Sequence, residues 1–270
     1  MALSELTERT LSAAVMLPVA VGALVMGGIW FWALAVVIVA IAAGEWACLH
    51  GACVGEDKLD LPATVLAAVA PLFLILFNQP ITYALSALLL GSLIVAALSA
   101  LGNKPVRIKM AAGSFYCGMA GLALVWLRDL DDPTGVGLVL VLFVLVAVWA
   151  TDIGAYFGGR TIGGPKIAPK ISPKKTWAGL ISGSICAAIC GAAVAHFTTL
   201  DLHPALAAVM AAILAILAQA GDFLESHLKR VAGKKDSSNL IPGHGGVLDR
   251  IDGILPTAPL MALIWLTMSQ

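Results

Sequence analysis

Nine apolar runs, each close to the length that crosses a bilayer, constrain this chain more than any other feature. They fall at about 11–29, 30–49, 61–78, 81–101, 108–127, 134–157, 178–198, 203–224 and 252–269. A spanning α-helix needs about 20 apolar residues, which each run supplies or approaches. The first two are separated only by Gly27-Gly28, and the short third run contains Pro71, a candidate kink. Only 12% of the residues are charged, against about a quarter in soluble domains, which excludes an ordinary soluble fold. The expected architecture is an all-α polytopic membrane protein with about nine transmembrane helices. It forms a single integral-membrane domain over 1–270, with N-terminal spans in 1–101, middle spans and a basic loop in 102–177, and C-terminal spans in 178–270.

Placement of the basic residues orients such a bundle. With nine spans, one side receives Arg9, Lys58, Lys104/Arg107/Lys109, the Arg160–Lys175 loop and the Lys229–Arg250 segment. Of the 16 Lys and Arg residues, Arg128 alone falls on the other side. Cytoplasmic loops carry the excess of Lys and Arg, so the N-terminus and basic loops are expected in the cytoplasm and the C-terminus outside. The opening MALSELTERTLS lacks the basic start and small-residue cleavage site of a secretory signal, so the first run is expected to be a retained helix. Five scattered cysteines (Cys48, Cys53, Cys117, Cys186, Cys190) read as small hydrophobes rather than zinc ligands. Their odd number argues against a disulfide framework.

Two polar islands interrupt this pattern. In the first, WATDIGAYFGGRTIGGPKIAPKISPKKTWAG at 149–179, Asp152 and Tyr156 are spaced i,i+4 and share a helix face. Gly158, Gly159, Gly163, Gly164 and Pro165 are expected to break the helix, with a basic loop (Lys166, Lys170, Lys174, Lys175) and a turn at Ser172-Pro173 after them. A Walker phosphate loop fails here, because Pro165 stands where Lys and Ser/Thr are required. An ordinary positive-inside loop would account for the lysines but not for Asp152 inside an apolar run. Phosphate binding by this segment is the preferred reading.

The second island covers 219–252. Asp222, Glu225 and Ser226 stand at i, i+3 and i+4, so both carboxylates share one face. Asp249 and Asp252 repeat the i,i+3 spacing beside Arg250. Between them lie Lys229, Arg230, Lys235, Asp236 and His244, and a glycine turn (Gly243, Gly245, Gly246) that lets backbone approach a ligand. Oxygen ligands at two helix ends suit a hard divalent cation, with Asp222 and Asp249 as principal ligands and Asp252 and Glu225 in support. The alternative is a salt-bridge network around Arg250, Lys229 and Arg230 that seals a helix bundle. It leaves His244 and the glycine turn without a role. Intramembrane carboxylates also suit a cation- or proton-coupled transporter, but polarity here gathers at one membrane face instead of along several spans.

The run from Ser226 to Asp252 (S-x-L-K-R-x4-K-D-x-S-x2-I-P-x-H-G-G-V-x-D-R-I-D) resembles, without a gap, the signature of the phosphatidate cytidylyltransferases, or CDP-diacylglycerol synthases. Trp149–Gly179 is similar to that family's upstream pattern, except that Ala178 stands where the pattern usually carries Glu. Glu45-Trp46 resembles another family feature, more weakly. The resemblance implies cytidylyl transfer from CTP to phosphatidate, giving CDP-diacylglycerol and pyrophosphate for phospholipid synthesis. It implies Mg²⁺, with a second cation left open, and a homodimer in a bacterial inner membrane whose active site is a polar cavity facing the cytoplasm. The implied catalytic set is Asp222, Asp249, Lys229, Arg230, Lys235, His244 and Arg250. Substrate contacts are expected from Asp152, Tyr156, Lys174, Lys175, Ser226, Asp236, Gly245 and Gly246, with no nucleic-acid partner. A CTP-dependent lipid kinase of the polyprenol type is the alternative enzyme, since it would use the same charges to deliver a γ-phosphate.

Overall fold

A computed structural model describes residues 5–53, 60–101, 106–130 and 135–268. Lys58 and Lys104, two of the residues used for orientation, lie outside the described residues. Each of the nine apolar runs is helical: α1 (Glu5–Met26), α2 (Gly28–Leu49), α3 (Asp60–Leu76), α4 (Ile81–Leu101), α5 (Val106–Arg128), α6 (Val136–Thr161), α7 (Trp177–Phe197), α8 (Pro204–Val231) and α10 (Ile254–Met268). A single-turn helix, α9 (Leu248–Ile251), precedes α10. Among the described residues, six helices are long and apolar enough to cross a membrane: α2 and α4 to α8. Apolar stretches at Thr10–Met26, Asp60–Leu76 and Ile254–Met268 are shorter.

The structure differs from the sequence expectation in three places. The Lys166–Thr176 segment is not wholly irregular: β1 (Lys166–Ala168) and β2 (Ser172–Thr176) pair antiparallel, with Lys166 opposite Thr176 and Ala168 opposite Ser172. Ser172-Pro173 therefore opens a strand, and the reversal falls on the residues before it. Gly158 and Gly159 do not break α6, which runs on to Thr161; the chain turns at Gly163 and Gly164, both at positive φ. Finally, Cys48 and Cys53 form a disulfide rather than serving as separate apolar side chains. Cys117 is buried, as expected of a small hydrophobe.

The chain divides into two compact units. The first comprises Met1–Trp126 with Val231–Ile251, and the second Leu127–Arg230 with Asp252–Gln270. In the first unit α3 packs between α2 and α4, burying Ala43, Ala68, Leu72 and Leu88. Trp46 on α2 lies so close to α5 that a Cβ on Gly113 would meet its ring at 2.1 Å, and its Nε1 donates to the Lys109 carbonyl at 2.8 Å.

In the second unit the closest packing is α6 on α7. A Cβ on Gly154 would lie 2.9 Å from the Ser182 carbonyl oxygen, and one on Gly183 2.7 Å from that of Thr151. Small residues let two backbones approach this closely, and in lipid such packing replaces the absent hydrophobic drive between helices. Gly179, Gly183, Ala187, Gly191 and Ala195 form the buried stripe of α7, while Ile181, Ile185 and Ile189 face outward. An outward aliphatic row with an inward small-residue row is the reverse of a water-soluble helix.

Candidate active site

Thr176 ends β2 and begins α7. Its Oγ1 accepts from the Gly179 amide at 3.0 Å, an N-cap that fixes the junction between hairpin and helix. This cap positions Lys174 and Lys175 against the C-terminal half of α6. Beside them is a cavity of about 470 Å³ in the second unit. Asp152, Tyr156 and Arg160 line it from α6, Lys166, Lys174 and Lys175 from the hairpin, and Gln219 and Asp222 from α8. Asp152, Tyr156, Lys174, Lys175 and Asp222, all named from the sequence, line this one cavity.

Charge in this unit is tightly organised. Lys175 Nζ forms an ion pair with Asp222 and lies 4.4 Å from the centre of the Phe223 ring. Ser226 Oγ donates to Asp222 Oδ1 at 3.2 Å. Arg160 donates to the Tyr156 hydroxyl at 2.8 Å. In the link between α9 and α10, Asp252 has its carboxyl pushed up to about 7. Burial is the main cause and the Asp222 charge the next; the Gly253 N–H opposes the rise, Asp152 adds to it and Lys175 opposes it. Asp252 therefore feels the charges of both Asp222 and Asp152.

Other members of the expected set are placed differently. Glu225, 4% exposed, accepts from Lys229 Nζ at 3.0 Å on the same helix, so these two residues are engaged with each other. Arg230, at the end of the helix, is exposed. Among the described residues, no group of three or more His, Cys, Asp or Glu side chains is gathered closely enough to hold a metal ion by itself. That still fits a Mg²⁺ site, because Mg²⁺ usually takes one or two carboxylates and completes its shell with water and substrate phosphate. Asp222 and Asp252, whose mutual repulsion a cation would relieve, are the fitting pair in this unit.

The remaining signature residues belong to the first unit, in the segment between α8 and α9. Asp249 Oδ2 accepts from the Ser237 amide, the Ser237 hydroxyl and the Gly246 amide, each at 2.8 Å. Gly245 sits at φ +80° with no room for a side chain, since a Cβ there would lie 2.8 Å from Asp249 Oδ2. His244 Nδ1 is 2.7 Å from Ser12 Oγ on α1, and Ser12 also donates to the Pro242 carbonyl at 3.2 Å. Lys235, Asp236 and Arg250 are exposed.

Sequence reasoning passed over Gln219 and assigned no site role to Glu45, Arg160 or Lys166. Gln219 is 6% exposed and lines the cavity, and Arg160, Lys166 and Thr176 line it too. Glu45, buried on α2, contacts the signature segment. A carboxylate inside an apolar span was the available signal for Glu45. For Gln219, one turn before Asp222, the i,i+3 spacing was the signal.

The chain is similar in sequence to several known proteins. A phosphatidate cytidylyltransferase of Brucella suis is 40% identical over 153 residues, which is 57% of this chain and 55% of that protein, so the match spans about half its length. The phosphatidate cytidylyltransferase of Pseudomonas aeruginosa is 34% identical over 275 aligned residues, covering 96% of this chain and 97% of its own. One from Haemophilus influenzae is 32% identical over 196 residues, 71% of this chain. The sequence profile described as the cytidylyltransferase family matches residues 7–268, which takes in α6, the hairpin, the cavity and the whole signature segment. By that match, the chain belongs to the cytidylyltransferase family.

Proposed function

We propose that this protein is a membrane nucleotidyltransferase that moves the cytidylyl group of CTP onto phosphatidate, releasing pyrophosphate and leaving CDP-diacylglycerol in the bilayer. The observation that carries the proposal is the cavity of the second unit. It combines Arg160, Lys166, Lys174 and Lys175 with Asp152 and Asp222 in the C-terminal halves of apolar helices. Cations of this density suit phosphates, and carboxylates beside them suit a cation on those phosphates.

In the reaction, a phosphate oxygen of phosphatidate attacks the α-phosphorus of CTP. The bond from that phosphorus to the bridging oxygen of the β-phosphate breaks, and pyrophosphate departs with the electron pair. The attacking oxygen is already anionic, so no protein nucleophile is needed and a general base has little to do. The protein's contribution is positioning and charge stabilisation. Lys174 and Lys175 approach the phosphates from the hairpin, Arg160 is steadied by the Tyr156 hydroxyl, and Gln219 offers a neutral amide to an uncharged part of the substrate. Lys229, Arg230, Lys235, His244 and Arg250 remain proposed contributors of positive charge, with Ser226, Asp236, Gly245 and Gly246 as proposed substrate contacts. Mg²⁺, when bound, neutralises charge on the triphosphate. Asp222 and Asp252 are its proposed ligands within the second unit, with Glu225 in support; Asp249, also a proposed ligand, belongs to the first unit, where its Oδ2 accepts from Ser237 and Gly246.

Nine spans, a cytoplasmic N-terminus and active site, and a homodimer in a bacterial inner membrane complete the proposal. The helicity of all nine runs and the one-sided basic residues support the topology. The test is direct: purified protein in detergent, given CTP, phosphatidate and Mg²⁺, is expected to form a liponucleotide and pyrophosphate in equal amounts. Release of CDP with phosphorylation of a lipid alcohol would identify a kinase instead.

A further inference from the structure

Glu45 lies near the C-terminal end of α2, outside both polar islands, and is 6% exposed. A buried carboxylate in an apolar helix is costly unless its oxygens are matched by donors. Here they are matched from two separate parts of the signature segment. Oε1 accepts from Ser238 Oγ at 2.6 Å and from the Val247 amide at 3.1 Å. Oε2 accepts from the Leu248 amide at 2.7 Å and from Ser237 Oγ at 3.0 Å. A Cβ on Gly246 would lie 2.5 Å from Glu45 Oε2 and 2.0 Å from Ser237 Oγ, so the turn closes around this carboxylate only because residue 246 is glycine.

Ser237 Oγ is also 2.8 Å from Asp249 Oδ2. A hydroxyl has one proton, which serves one carboxylate at a time. Ser237 therefore stands between Glu45 and Asp249, and movement of either alters the hydrogen bonding of the other. The Gly246 amide on Asp249 Oδ2 and the Val247 and Leu248 amides on Glu45 continue the link through consecutive peptide groups.

We infer that Glu45 is a positioning residue of the nucleotidyl-transfer machinery. From a helix outside the signature, it pins Ser237, Ser238, Val247 and Leu248 and thereby holds Asp249 and the His244-Gly245-Gly246 turn in one arrangement. The catalytic part of this inference rests on the proposed function; the structural part does not. Substitution by Gln preserves volume but turns an NH2 group toward groups that are themselves donors, so at least one bond is lost at each affected oxygen.

The full-length protein in detergent is compared as wild type, Glu45→Gln, Glu45→Asp and Glu45→Gln/Ser237→Ala. Hydrogen exchange reads the anchor without activity. Amides of Ser237, Gly246, Val247 and Leu248 are expected to exchange at least ~10-fold faster in Glu45→Gln, with the α6–α7 amides unchanged. In the transferase assay, Glu45→Gln is expected to lower kcat at least ~10-fold and to raise the Mg²⁺ concentration for half-maximal rate by ~10-fold or more, as loss of a group that orients a ligand typically does. Glu45→Asp is expected to recover part of both, and adding Ser237→Ala to cost less than the product of the single effects. Unchanged exchange in the signature segment overturns the anchor. Faster exchange with kcat and Mg²⁺ dependence within twofold of wild type overturns the catalytic part. So does an activity loss that only tracks the unfolded fraction. A wild type that forms no liponucleotide refutes the proposed function and the catalytic part with it, while exchange still decides the anchor.

Discussion

Asp222 carries the most chemistry of any single residue in the second unit. It lines the cavity, pairs with Lys175, accepts from Ser226 and raises Asp252. Asp222→Asn keeps the volume and removes the charge, and activity is expected to fall at least ~10²-fold through loss of transition-state electrostatics. Near-wild-type turnover at ordinary Mg²⁺ would remove Asp222 from the ligand set. Asp252 makes a pH prediction. Its carboxyl is raised from 3.8 to about 7 in the folded protein, so between those values the unfolded chain releases a proton that the fold retains. Stability from this group is full below about 4 and is lost as pH rises toward about 7. In EDTA, wild type is expected to melt at a lower temperature at pH 8 than at pH 5 by a margin that Asp252→Asn lacks, and Mg²⁺ at pH 8 is expected to restore it. Identical pH slopes for the two proteins would show that Asp252 does not carry the effect. At this scale the sequence named most of the charged groups, because ionisable residues stand out against apolar runs. Gln219 was missed because an uncharged amide at the end of an apolar run gives a weak signal until its surroundings are known.

Among the elements, the α6–α7 pair sets how closely the cavity's walls approach. Gly183 faces the Thr151 carbonyl, and the side chain of a valine there would have to displace backbone. Gly183→Val is expected to destabilise the protein by about 1–3 kcal/mol, the usual range for overpacking, read as a lower midpoint of thermal unfolding in detergent. An unchanged midpoint would mean that this seam opens freely. Helix positions were legible because each run is long and uniformly apolar. Helix ends were not: Gly158 and Gly159 look like a break in the chain, yet their missing side chains make room for Ser182 and Thr176 of the neighbouring segment. The hairpin was equally hidden. Lys166–Ala168 and Ser172–Thr176 lack a run of alternating apolar residues, and Pro173 argues against a strand except at an edge.

For the molecule as a whole, the one-sided distribution of Lys and Arg predicts which face meets the cytoplasm. Lys234 and Gln79 are both exposed, in segments assigned to opposite sides by nine spans. In a cysteine-free background, Lys234→Cys is expected to react with an impermeant thiol reagent only from the cytoplasmic side, and Gln79→Cys only from the other. Labelling of both from one side would overturn the nine-span topology. Among the described residues six helices meet the length and hydropathy of a span, and the five of them between these two sites, α4 to α8, are the crossings this experiment tests.

Hydropathy and charge are local properties, and what depends on them alone was readable in the chain: helical class, an approximate element list and two islands of chemistry. Contacts between residues distant in sequence were not readable, because nothing in either segment specifies its partner. Glu45 and Leu248 are separated by 203 positions, and their hydrogen bond exists only once α2 and the signature segment are folded together. The effect of Asp222 and Asp152 on Asp252 likewise follows from burial and proximity created by the helices around them. The sequence determined which groups are available for phosphate and cation chemistry; tertiary structure decided which carboxylates anchor the backbone and which line the cavity.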